Sequence, residues 1–304
     1  MMPKIAFLFP GQGAQTVGMG RGLYDEVPEA RALFDRAAEV LGFDLKAVCF
    51  DGPAEALEST DVSQPGIYVA SLAALEGLKR TDPEVVTNCA GLAGLSLGEY
   101  TALTFAGAID FEEGLKIVRR RGEAMQAAAA AAPSGMTSLI GLDEAQVDEL
   151  CRRVEPHGRL WKANLLGPGN IVVSGDLPAL AAVEPIATEL GAGRVIPLKV
   201  AGAFHSPLMR PADDQLAEVL AAAHIHAPRL PVYSNVDAEV HAEPADLRAN
   251  LVKQVIAGVR WDDSIRRMLA DGYDTFYEVG PGRVLTGLLK RIDRKTSCTS
   301  VPAR

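Results

Sequence analysis

Ala93-Gly94-Leu95-Ser96-Leu97-Gly98-Glu99-Tyr100 is the stretch whose reading decides how the chain is organised. It contains one Gly-x-Ser-x-Gly pattern. The apolar run over 85–95 predicts a buried strand and 97–103 predicts the start of a helix, so Ser96 sits on the sharp turn between them. A serine in that place is a nucleophile elbow. Glycines on either side let the backbone turn with little side-chain clash, and the helix N-terminus brings amide N–H groups and a positive dipole end near the hydroxyl oxygen. Negative charge developing there would be stabilised. Alone the pattern is weak, because a chain with 29 glycines produces it by chance. The strand-then-helix context gives it weight.

Upstream, Ile5-Ala6-Phe7-Leu8-Phe9 reads as the first buried strand; it is too short for a signal-peptide core or a membrane span. The loop Pro10-Gly11-Gln12-Gly13-Ala14-Gln15 follows. It carries neither Gly-x-x-x-x-Gly-Lys-Ser/Thr nor Gly-x-Gly-x-x-Gly, so it is expected to offer backbone amides rather than to bind a nucleotide. Helical periodicity then appears over 28–41, 53–57 and 64–78. With 304 residues, 48% of them hydrophobic, the chain can bury a substantial core. Thirty lysines and arginines against 39 acids give a net charge of −9, which points away from nucleic acid and anionic membranes. Cys49, Cys89, Cys151 and Cys298 lie far apart with no metal-ligand spacing, so reduced thiols in a cytoplasmic protein are expected, with no metal and no cofactor.

Downstream, Asp110 is a candidate N-cap for a helical segment over 111–132 that holds Arg119-Arg120-Arg121. Pro133-Ser134-Gly135 then punctuates the chain. Beyond it the pattern is strand 136–141, helix 143–154, strand 159–164, a turn at Gly167-Pro168-Gly169, strand 171–174, helix 178–190 and strand 194–198. That order, βαββαβ, is the split βαβ of ferredoxin-like domains. Pro185 should kink or divide the second helix. Larger α/β units resume after Val200: helix 207–223, strand 232–234, helices 245–257 and 262–271, strand 275–279 and a helix after Gly280-Pro281-Gly282. The fold class expected is therefore α/β, an α/β-hydrolase-like large domain (1–132 and 200–304) with an inserted ferredoxin-like small domain (133–199). The polar tail over 295–304 is expected to fray.

A serine hydroxyl needs a base within hydrogen-bond reach. His157, His224, His226 and His241 fall in polar turns, loops or helix ends, where solvent is the expected neighbour. His205, in Ala203-Phe204-His205-Ser206-Pro207, follows a strand and precedes a helix, and is the leading candidate. A hydrolase would also place an acid between serine and histidine. Asp143, Asp148 and Asp176 lie in that interval, but all three belong to the insertion. Something other than a carboxylate should orient the imidazole.

The stretches 9–15 and 94–100, Arg121-Gly122, Phe204-His205-Ser206, Asn235-Val236-Asp237, Gln254 and Glu278-Val279-Gly280-Pro281-Gly282, in this order, resemble the malonyl-CoA:acyl carrier protein transacylases. The resemblance runs from about Lys4 to Ile292. It implies that Ser96 attacks the thioester of malonyl-CoA, that His205 moves the proton, and that a malonyl ester on Ser96 is passed to the phosphopantetheine thiol of acyl carrier protein. It implies an oxyanion hole from the amides of Gln12 and Leu97, and a Gln254 carbonyl that orients His205. Arg121 would bind the malonyl carboxylate, Phe204 would crowd an α-methyl group, and Asn235 would support the site. Without the resemblance Arg121 is one more charge on a solvated helix face, as Arg119 and Arg120 are expected to be. The carrier-docking surface of the family maps onto Arg194, Lys290 and Arg291, with Gly193 where relatives are often basic. Leu95 stands where the family usually has histidine, and Leu166 where a second asparagine often follows Asn164. A cytoplasmic monomer serving fatty acid synthesis is expected; a free-standing acyltransferase of a polyketide synthase and a serine thioesterase are the alternatives.

Overall fold

Ile5–Phe9 forms strand β1, and all five of its residues are buried. A strand covered on both faces reads as an unbroken apolar run, and β1 lies in the middle of its sheet. The computed structural model describes residues 3–304. After β1 come helices α1 (Arg21–Glu26), α2 (Pro28–Leu41), α3 (Leu45–Asp51), α4 (Ala54–Glu58), α5 (Thr60–Thr81) and α6 (Pro83–Thr87). Strand β2 (Cys89–Gly94) then leads through the elbow into α7 (Gly98–Phe105) and the long α8 (Phe111–Ala131).

The chain next forms a second sheet: β3 (Ser134–Ile140), α9 (Glu144–Val154), β4 (Leu160–Gly167), β5 (Asn170–Asp176), α10 (Leu177–Glu189) and β6 (Arg194–Pro197). It returns through a 3-10 turn (Pro207–Met209), α11 (Arg210–Ala222), β7 (Val232–Tyr233), α12 (Pro244–Gln254), α13 (Trp261–Ala270), β8 (Thr275–Gly280), α14 (Val284–Ile292) and β9 (Ser297–Pro302).

The large sheet has the order β7-β2-β1-β8-β9 with every neighbour parallel. The small sheet has the order β4-β5-β3-β6 with every neighbour antiparallel, the strand order that a split βαβ produces. The fold class is the one expected, a large α/β body carrying an inserted βαββαβ unit. Phe7, Phe9, Tyr68 and Leu103 belong to the main apolar cluster, which Met136, Ala163 and Val172 of the insertion also join, whereas Leu139, Leu150 and Val173 belong to a cluster within the insertion.

The structure corrects several local expectations. Val85 and Val86 lie in α6, where Pro83 occupies the first turn and the Asp82 carboxylate accepts from the Val85 amide at 3.2 Å; the strand begins only at Cys89. The polar tail does not fray. Six residues of β9 pair in parallel with β8, and beyond them the Gly20 and Leu23 amides donate to the carbonyls of Ala303 and Arg304 at 3.1 and 2.8 Å. Pro185 does not divide α10; Ala181, whose carbonyl loses its partner, is exposed, so water can replace the bond. Asp110 does precede α8, but its side chain makes no cap hydrogen bond. Arg119 is not simply solvated. Pro65 inside α5 has no N–H to give the Asp61 carbonyl, and Arg119 Nη1 donates to that oxygen at 2.7 Å, pinning α8 against α5.

Candidate active site

Ser96 holds φ at 53°, a left-handed backbone that costs a side-chain-bearing residue about 1–3 kcal/mol unless its surroundings impose it. They do. The Ser96 amide donates to Asn235 Oδ1 at 2.6 Å, and Asn235 Nδ2 donates to the Gly94 carbonyl at 2.7 Å, so one buried amide group clips both sides of the elbow. The two glycines of the motif are required by space. A Cβ on Gly94 would stand 1.9 Å from the carbonyl carbon of Gly98, and one on Gly98 would stand 2.1 Å from the Phe9 carbonyl oxygen. Only hydrogen there lets α7 start against the ends of β1 and β2.

His205 also has a positive φ, 57°. Its Nε2 lies 2.8 Å from Ser96 Oγ, and its Nδ1 lies 2.8 Å from the Gln254 carbonyl oxygen. A carbonyl only accepts, so Nδ1 carries the proton and Nε2 is the free base that faces the hydroxyl. Burial, with the Arg121 charge second, pushes the imidazole down to about 4. The ring is therefore neutral at ordinary pH.

Arg121 comes from the middle of α8 and is 1% exposed. Its Nη2 donates to Ser96 Oγ at 3.0 Å and to Gln254 Oε1 at 2.9 Å, while Nη1 donates to Gln64 Oε1 at 2.8 Å. Its guanidinium stands over the Tyr100 ring, 5.4 Å from the centroid. None of the acceptors is a carboxylate. Burial lowers the guanidinium's hold on its proton, while Tyr100 and Glu99 counter that. Nε is buried without a hydrogen-bond partner among the described residues. The site thus holds a cation with donor capacity to spare beside a nucleophilic oxygen.

Gln254 joins these groups. Its carbonyl takes His205, its Oε1 takes Arg121, and its Nε2 donates to the Ser96 carbonyl at 3.0 Å and to Glu99 Oε2 at 2.5 Å. Glu99 and Gln64 are two members of the network that sequence reasoning missed. Glu99 had a signal: it is the single charged residue in the segment 89–109.

A cavity of about 440 Å³ opens above this network, lined by Gln12, Ser96 and Leu95 from the large body, by Met136 and Leu198 from the insertion, and by Phe204 and His205. Among the described residues the backbone amides of Gln12 and Leu97 donate no hydrogen bond; Gln12 lines the cavity and Leu97 is buried behind it. Asn235 lies beneath the elbow and does not line the cavity. Arg194, Lys290 and Arg291 are exposed. Their neighbours link the segments that carry them: Arg194 opens β6 beside Ile140, Ile292 at the end of α14 approaches Gly167, and the Gly141 amide bonds the Gly169 carbonyl at 2.8 Å. The other histidines lie outside the site, with His157, His224 and His226 exposed and His241 paired with Asp237 at 2.9 Å. The aspartates of the insertion are used locally. Asp143 caps α9, Asp176 caps α10, and Asp148 pairs with Lys162.

The acyl transferase domain family matches residues 6–303. The malonyl CoA-acyl carrier protein transacylase of Bacillus subtilis is 43% identical over 303 residues, which covers 99% of this chain and 94% of that protein. The chain belongs to the malonyl-CoA:acyl carrier protein transacylase family. The Escherichia coli K12 member is 39% identical over 291 residues, 96% of this chain and 93% of that one. Among solved structures, the acyl-carrier-protein S-malonyltransferase of Bartonella henselae matches with a TM-score of 0.94 at 37% identity, covering 98% of this chain and 95% of its own. A malonyl-transacylase solved in complex with a type II PKS acyl-carrier protein matches with a TM-score of 0.92 at 35% identity, covering 98% and 95%. The family match takes in both the elbow and the inserted unit. No described helix is long and apolar enough to cross a membrane.

Proposed function

We propose that the protein moves a malonyl group from malonyl-CoA to the phosphopantetheine thiol of an acyl carrier protein, through a malonyl ester on Ser96. One observation carries the reading: a neutral imidazole at 2.8 Å and a buried guanidinium at 3.0 Å meet at the same serine oxygen. The first equips the oxygen to attack; the second selects an acyl group that ends in a carboxylate.

In the first half-reaction Ser96 Oγ attacks the thioester carbonyl as His205 Nε2 takes its proton. The amides of Gln12 and Leu97 receive the oxyanion. The C–S bond breaks, and His205 returns the proton to the departing thiolate. In the second, the carrier thiol gives its proton to His205 and attacks the ester carbonyl, and Ser96 leaves with that proton. Arg121 pairs with the free carboxylate in both. Phe204 narrows the acyl pocket against an α-methyl branch, and Asn235 holds the elbow. No cofactor or metal enters the scheme.

Arg194, Lys290 and Arg291 form the face proposed to meet the acidic carrier, since a chain of net charge −9 needs a local basic surface for that partner. The same proposal divides the chain into 1–132 with 200–304 and an inserted 133–199, and takes the protein as a cytoplasmic monomer. Four free cysteines support a reducing compartment. Supply of malonyl units to fatty acid synthesis is the first reading, and the match to a transacylase bound to a type II PKS carrier keeps polyketide supply as the second.

The test is a pulse and chase. Labelled malonyl-CoA should mark Ser96, and added carrier protein with its phosphopantetheine arm should remove the mark as malonyl thioester. Release of free malonate at the same rate without carrier would overturn the reading in favour of a thioesterase.

A further inference from the structure

Glu99 takes no part in the steps above, yet it is 4% exposed and sits directly beneath Ser96. Its Oε2 accepts from Gln254 Nε2 at 2.5 Å and from the Asn235 amide at 3.2 Å. Gln254 passes the connection on, because its Oε1 accepts from Arg121 Nη2 at 2.9 Å. One amide group therefore separates a buried carboxyl from a buried guanidinium. Glu99 Oε1 accepts no hydrogen bond among the described residues, so a proton can be held there with both bonds at Oε2 intact.

The other groups facing Glu99 are few. Helix α8 presents Arg121, and α12 presents Gln254. The loop after β7 presents Asn235 and the carboxylate of Asp237, and α7 itself presents Tyr100. Helix α5 joins the network through Gln64, which accepts from Arg121 Nη1, while its Tyr68 hydroxyl bonds Thr104. Strands β1 and β2 offer apolar side chains and glycine. His205, across Gln254, is pushed down to about 4 and is neutral at ordinary pH. Desolvation lifts the Glu99 carboxyl to about 7 and Asp237 adds to the rise, while Gln254, Asn235 and Arg121 pull it back. At neutral pH the group is divided between its two forms, and a change in nearby charge moves it.

Resting on the reading that the substrate carboxylate pairs with Arg121, we propose that malonyl binding loads a proton onto Glu99. In the empty site the Glu99 carboxylate balances Arg121 through Gln254. When the malonyl carboxylate contacts Arg121 directly, two carboxylates share one guanidinium in a poorly solvated site, and the one farther from the cation takes a proton from solvent. Departure of the malonyl group returns that proton. An acetyl group brings no charge and leaves Glu99 as it was. Malonyl affinity therefore falls as pH rises above about 7, because the proton must be drawn from a more dilute supply.

Calorimetric titration of the Ser96→Ala protein with malonyl-pantetheine, which carries no phosphate, tests this in two buffers of different ionisation enthalpy. Uptake of roughly half a proton per malonyl is expected at pH 7, since a carboxyl near its midpoint is half ionised. Uptake should fall towards zero at pH 5.5 and be zero with acetyl-pantetheine at either pH. Tight malonyl binding without proton uptake at pH 7 overturns the proposal and leaves malonyl transfer standing. Equal affinity for malonyl and acetyl overturns the Arg121 reading and the proposal with it. Glu99→Gln, checked for folding by circular dichroism, should bind malonyl with no uptake; uptake kept in that variant would assign the proton to another group such as His205 and overturn the proposal. If that variant does not fold, the measurements on the protein with Glu99 decide.

Discussion

Arg121 is a cation held out of water by neutral oxygens, an arrangement that a bound anion completes. Removing it should discriminate between substrates. Arg121→Ala is expected to lower kcat/KM for malonyl-CoA by about 100-fold, the scale of one or two charge-assisted hydrogen bonds, and to change acetyl transfer far less; equal losses would refute the carboxylate role. His205 makes a pH prediction. Its folded value is depressed to about 4 from the ordinary 6.5, so the neutral base is lost only as pH falls through about 4. The kcat/KM for malonyl-CoA, which reports groups of the free enzyme, should show an acid limb there, and a limb near 6.5 would mean that the ring is hydrated. Ser96 was legible through its motif and His205 through its place between a strand and a helix, whereas Gln254 entered only through the family resemblance. Glu99 showed only as a lone charge in an apolar segment, and the partners that give it meaning, Gln254 and Asn235, come from distant segments.

At the scale of elements, the elbow depends on how closely α7 meets β1. Gly98→Ala would drive a methyl group into the Phe9 carbonyl, 2.1 Å from its ideal position, where backbone must move. A loss of about 3 kcal/mol or more is expected, from backbone overpacking. Gly287→Ala in α14 meets nothing within 4 Å and should gain about 0.5–1 kcal/mol, because glycine disfavours a helix interior. Urea midpoints of the two variants check both. Strands with apolar runs, and helices with caps or clear periodicity, were readable. Val85 and Val86 misled, because two valines extend an apolar run whatever their backbone does, and the Asp82-Pro83 start decides otherwise. β9 was hidden by its composition: an edge strand paired on one side tolerates serine and threonine, and only β8 reveals it.

In the whole molecule the cavity is lined from both the large body and the inserted unit, so its width is set by how the insertion rests on the large body. The insertion itself was visible in the sequence as βαββαβ order after Pro133-Ser134-Gly135, but its seating was not. Part of that seating is a short parallel bridge between Asn164 on β4 and Val259 before α13, with the Leu165 amide on the Val259 carbonyl at 2.9 Å and the Val259 amide on the Ala163 carbonyl at 2.8 Å. No local pattern foretells a contact between segments so far apart. These two amides can serve as a gauge of breathing: if the bodies part to admit an acyl-pantetheine arm, deuterium enters at Leu165 and Val259 together, at one shared rate, ahead of the strand interiors. A bound malonyl thioester should slow both. Unequal rates, or indifference to the thioester, would show that the opening lies elsewhere and that this bridge stays latched throughout the catalytic cycle.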